Sequence, residues 1–100
     1  MQKYEKELAD YAAILEQSAR TTHRAEDRNK YQQHLATVAL MFVAIVKDRS
    51  MSKLKELVAA ERHSYGWGYL YESAGEEAEK GFHAFASLVE SDEVTTAPGR

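Results

Sequence analysis

The chain contains no cysteine, one proline, Pro98, and five glycines among its 100 residues. Without cysteine there is no disulfide, no thiolate metal site and no cysteine nucleophile. With proline absent before residue 98, no upstream helix is forced to stop by a missing backbone donor. Long apolar runs are also missing. The most apolar stretch, "LATVALMFVAIV" at 35–46, has 12 residues, whereas a membrane-spanning helix needs about 20. The start, "MQKYEKEL", is charged and lacks the apolar centre of a signal peptide, so a cytoplasmic location is expected. Net charge is small as well. A value of −3 fits neither a dedicated nucleic-acid binder nor an acidic mimic of DNA.

The distribution of charge says more than its sum. Residues 20–62 carry Arg20, Arg24, Arg28, Lys30, Lys47, Arg49, Lys53, Lys55 and Arg62 against few acids. From 72 to 93 the balance reverses, with seven acids against Lys80 alone. Two halves that attract each other within one fold account for this pattern.

An apolar content of 44% over 100 residues suffices for one domain with a modest core. Most residues up to about 62 are good helix formers. Tyr4, Leu8, Tyr11, Ala12, Leu15 and Ala19 form one helical stripe, and Tyr31, Leu35, Val38, Phe42 and Ile45 form a second. The two are one position out of phase, which requires a break near residues 21–29. A single helix from 3 to 47 would be roughly 66 Å long, too long for a domain this size. "KDRSMS" marks the next boundary, with Ser50 or Ser52 as N-cap. A third helix then carries Met51, Leu54, Leu57 and Val58 on one face. Ser73 and Glu76 fit a capping box ahead of a fourth helix bearing Ala78, Phe82, Phe85, Ala86 and Val89. "SDEVTTAPGR" lacks periodicity and reads as a flexible tail. The expected fold is therefore all-α: a four-helix bundle or pair of helical hairpins, one domain over 1–90 with a tail at 91–100.

The second helix departs from simple amphipathicity. Ala36, Leu40, Val43 and Ala44 cover much of the side opposite its seam. A helix apolar all round must be buried all round, either at the centre of the bundle or against another copy of the chain. Its β-branched content leaves a buried strand as the alternative for this stretch.

Chemistry-bearing residues are sparse in pattern. Glu72, Glu76, Glu79 and His83 share one face of a helix, but that face is offset from the core stripe. Bundle metal sites point inward and draw ligands from several helices, so a solvated acidic face is the better reading and no metal or cofactor is expected. His23, His34, His63 and His83 are scattered without ligand spacing and read as surface or boundary residues. Glu61 falls on the apolar stripe of the third helix, where a carboxylate must find a tyrosine hydroxyl or an arginine. A general acid is the alternative role, with no partner to name. No nucleophile elbow or phosphate loop surrounds any serine or threonine, and no enzymatic activity is expected.

The stretch "HSYGWGYLY" at 63–71 is the densest oddity. Tyr65, Trp67, Tyr69 and Tyr71 alternate with other residues, a strand signature for which the chain offers no partner strand. Glycine at 66 and 68 weakens a helix by roughly 1 kcal/mol each, so 63–68 reads as an irregular connector. Four exposed rings would present roughly 600–1,000 Å², more than the ~300–600 Å² of a typical monomer's largest apolar patch. Some rings close the end of the bundle, or a partner covers them. The resulting expectation is a non-catalytic protein-binding module acting stoichiometrically as an inhibitor, an immunity or antitoxin-like protein, or an adaptor. Its contact residues would be Arg62, His63, Tyr65, Trp67, Tyr69 and Tyr71. The alternative is a homo-oligomeric structural or regulatory protein, with a homodimer as its simplest form, assembled through the 35–46 helix. Single-stranded nucleic-acid binding ranks third, because the acidic helix after the aromatics would repel phosphates.

Overall fold

Side chains replace lost backbone hydrogen bonds at the end of the first helix and the start of the third. The structure, a computed structural model, describes residues 2–65 and 73–95, with side chains over 2–63 and 77–91. Helix α1 spans Gln2–Thr21. Its end is closed by Arg28, whose Nε and Nη2 donate to the Ala19 and Thr22 carbonyls at 3.3 and 3.1 Å. A cation at a helix C-terminus both caps and opposes the dipole. The expected break is thus three residues, 22–24, and α2 starts at Ala25.

Helix α2 covers Ala25–Phe42 and continues as a π-wound turn over Val43–Lys47. The Asp48 N–H reaches the Val43 carbonyl and the Ser50 N–H the Ala44 carbonyl, both at 2.9 Å. Arg49 then turns the chain with φ 49°, left-handed for a residue with a Cβ. Ser50 is the N-cap of α3, its Oγ accepting the Lys53 N–H at 3.1 Å. Helix α3 spans Met51–Tyr65, so residues 63–65, expected to open an irregular connector, are helical. Helix α4 spans Ser73–Thr95 and continues past residue 91, where the sequence suggests a tail. The stretch 35–46 is helical throughout, which removes the strand alternative.

Buried positions repeat every three and four residues in all four helices. They are Tyr4, Leu8, Tyr11, Leu15 and Ser18 in α1, and Asp27, Tyr31, His34, Val38, Met41 and Ile45 in α2 and its π turn. In α3 they are Leu54, Val58 and Glu61, and in α4 Ala78, Phe82, Phe85 and Val89, with Ala44 and Ala86 also buried beside the series. This is the heptad pattern of left-handed bundle packing. Helix α1 packs against α2 and α4, and α3 closes the ring between those two. Gly81 lets α4 approach α1: a Cβ there would sit 2.9 Å from Ile14 Cδ1. The protein is an all-α four-helix bundle, with no strand among the described residues.

The core seam of α2 is rotated from the expected one. His34 and Met41 are buried, while Leu35 and Phe42 are only partly so. His34, expected at the surface, is a core residue. The rotation brings His34 to Glu61, with Nδ1 2.7 Å from Oε2.

Candidate functional site

Of the six residues expected to contact a partner, the side chains of Tyr65, Trp67, Tyr69 and Tyr71 lie outside the described residues. Arg62 and His63 are described. Arg62 forks onto Glu90, its Nε and Nη2 donating to Oε2 and Oε1 at 3.2 and 3.1 Å. Its guanidinium carbon lies 5.7 Å from the Phe82 ring centroid, and Nη1 is 3.3 Å from His83 Nδ1. Arg62 therefore ties the basic α3 to the acidic α4, one instance of the expected attraction between halves. His63 is exposed.

Glu61 has the tyrosine partner that its place on an apolar stripe demands, and a second partner besides. The Tyr11 hydroxyl donates to Glu61 Oε2 at 2.9 Å, and His34 Nδ1 approaches the same oxygen at 2.7 Å. Three helices thus meet at one carboxylate oxygen, in a layer completed by Phe82, whose ring centroid is 5.9 Å from that of Tyr11. Tyr11, His34 and Glu61 are 0%, 3% and 4% exposed. Chemically the layer can fix the register of three helices, since apolar layers slide past one another more readily than a hydrogen-bonded one.

A second buried carboxylate lies at the start of α2. Neither oxygen of Asp27 accepts a hydrogen bond. The Arg24 guanidinium, 3.8 Å away, and the positive end of the α2 dipole oppose its charge. On the acidic face, Glu79 and His83 pair at 3.3 Å across one turn. Among the described residues no group of three or more His, Cys, Asp or Glu is placed to hold a metal ion.

The outer face of α2 is different in kind. Leu40, Val43 and Val46 are the exposed large apolar side chains of the described residues, at 57%, 43% and 55% exposure. All three lie on one side of one helix. Gln32, Gln33, Ala36 and Ala39 continue that side toward the N-terminus, all exposed. From residue 31 to 46 there is no Asp, Glu, Lys or Arg. The equivalent outward positions of the other helices include Lys6, Asp10, Glu16 and Arg20 in α1, Lys53 and Glu56 in α3, and Lys80 and Glu90 in α4. Beside the stripe runs a groove of about 370 Å³ lined by Leu40, Val43, Ala44 and Leu57, with Asp48, Lys53 and Glu56 at its rim. Lys53 Nζ and Asp48 Oδ2 pair at 3.1 Å, so part of the rim charge is neutralised within the chain. The apolar second face was legible from Ala36, Leu40 and Val43; Ala44, assigned to it, is buried instead.

No protein-family model, no curated protein and no solved structure matches the chain. What fold and surface define is a class: a heptad-packed four-helix bundle with a buried polar layer and a helix face that carries no Asp, Glu, Lys or Arg over residues 31–46. No helix of the described residues is long and apolar enough to cross a membrane.

Proposed function

We propose that this chain is a non-catalytic protein-binding module whose contact surface is the outer face of α2. The observation that carries the reading is the clustering of Leu40, Val43 and Val46, exposed together on a helix side without charge. Isolated apolar residues on a surface need no explanation, but a contiguous stripe beside an apolar groove is characteristic of a docking face. The sealing of Tyr11, His34 and Glu61 inside the core supports binding over catalysis. An inhibitor, an immunity or antitoxin-like protein, or an adaptor would use such a face in the same way.

A photo-crosslinking residue at Val43 tests the proposal against one at Glu16, exposed on α1. Protein adducts should form from position 43 and not from 16. Equal adducts at both, or none at 43, would contradict it. The aromatic stretch remains a sequence-based candidate for a second contact. Loss of partner binding in Trp67→Ala, with the helical circular dichroism intact, would add it to the site.

A further inference from the structure

The α2 face has a size gradient along its length. Its N-terminal half is small, Ala36 and Ala39, and its C-terminal half large, Leu40, Val43 and Val46. Resting on the protein-binding reading above, we infer that the occupant of this face is a second copy of the chain, packed antiparallel about a two-fold axis between residues 39 and 40. In that register Val43 meets Ala36 of the second copy, and Leu40 meets Ala39. Leu40 and Val43 each lie over an alanine and Val46 faces Gln33, a pairing of unlike sizes near the axis that suits a self-complementary, isologous contact. A parallel pair would set Val43 against Val43 and Ala36 against Ala36, overpacked at one end and void at the other.

Absence of charge narrows the partner further. Nucleic acid needs phosphate-neutralising side chains on the contact, and residues 31–46 supply none. A surface that tolerates this stripe must itself be uncharged and apolar at its centre, and the stripe of a second copy meets that condition. Near the axis, Leu40 of the second copy is the apolar knob closest to the groove between α2 and α3. Gln33 and Gln32 reach the level of Val46 and Lys47, where amides can hydrogen-bond at the rim.

Area sets the strength. Residues 32–46 make a stripe roughly 22 Å long and about 10–12 Å wide. The stripe alone is on the order of 250 Å² per chain, and the α3 side of the groove adds to it, which places the pair among small, transient interfaces. The pair is therefore expected to be reversible and concentration-dependent.

Sedimentation velocity on the full chain, from about 1 µM to about 1 mM, reads this directly. The mass should rise from 11.3 kDa toward twice that value. Val43→Glu should stay monomeric throughout with unchanged circular dichroism, because residue 43 is exposed. Ala36→Val should weaken pairing at least about tenfold, and Ala36→Val combined with Val43→Ala should restore it, since each contact again joins one large and one small residue. A monomer at every concentration would overturn self-pairing. If position 43 then crosslinks another protein, the docking face stands with a heterologous occupant, and if the monomer sediments with phosphatidylcholine vesicles the occupant is a lipid surface. A dimer that survives Val43→Glu, or one that the double substitution fails to restore, would also overturn the antiparallel α2 pair.

Discussion

At Glu61 a single oxygen accepts from Tyr11 and lies 2.7 Å from His34, so the three side chains stand or fall together. Glu61→Ala would leave a buried phenol and imidazole unpaired and should cost about 3–5 kcal/mol in urea denaturation, as removal of one member of a buried pair does. Replacing all three, Tyr11→Phe with His34→Leu and Glu61→Met, should be neutral or stabilising by about 1–4 kcal/mol, because the desolvation cost of the polar layer disappears with it. A triple variant as unstable as the single one would show that the layer contributes net stability. Glu61 was visible in the sequence as a carboxylate on an apolar stripe, and the rule that it needs a donor pointed to a tyrosine. His34 was not visible, because Leu35 beside it is the more apolar residue, and apolarity alone put the seam one position round the helix.

Among the elements, α2 carries most of what distinguishes this bundle. Its final turn is π-wound and ends on Arg49 at φ 49°, a conformation costing a non-glycine residue about 1 kcal/mol. Arg49→Gly should therefore leave stability unchanged or raise it by up to about 1 kcal/mol, read as a shift in the urea midpoint with m unchanged. A loss larger than about 1 kcal/mol would mean that the arginine side chain, rather than the turn, matters there. Helix existence was legible across the chain because apolar periodicity marked each helix, and Ser50 announced the start of α3. The π turn and the extent of α3 to Tyr65 were not. The π turn closes the helix, so no apolar series follows it to reveal a shift of phase, and Gly66 and Gly68 argued for an earlier end than the chain has.

Taken as a whole molecule, the chain places charge on outer positions of every helix but omits Asp, Glu, Lys and Arg from residues 31–46 of α2 and its π turn. The sequence showed that α2 is apolar on two sides, and left open whether the bundle or another copy covers the second. The fold answers the first half: α1 and α3 flank α2 without covering Leu40, Val43 or Val46. The contact surface expected at Arg62, His63, Tyr65, Trp67, Tyr69 and Tyr71 shares only Arg62 and His63 with the described side chains, and Arg62 is engaged in the α3–α4 pairing. An open apolar face of this kind stabilises whatever it docks against, at about 25 cal/mol per Å² of apolar surface before the costs of association.

Because the chain has no native cysteine, a single Val43→Cys substitution makes the face directly readable by thiol labelling. Modification by a small maleimide should proceed at the rate of an open thiol in dilute protein. A Met41→Cys control, at a position 0% exposed, should react only through unfolding. Labelling at 43 as slow as at 41 in dilute solution would mean that the chain itself covers α2, and would contradict the docking face.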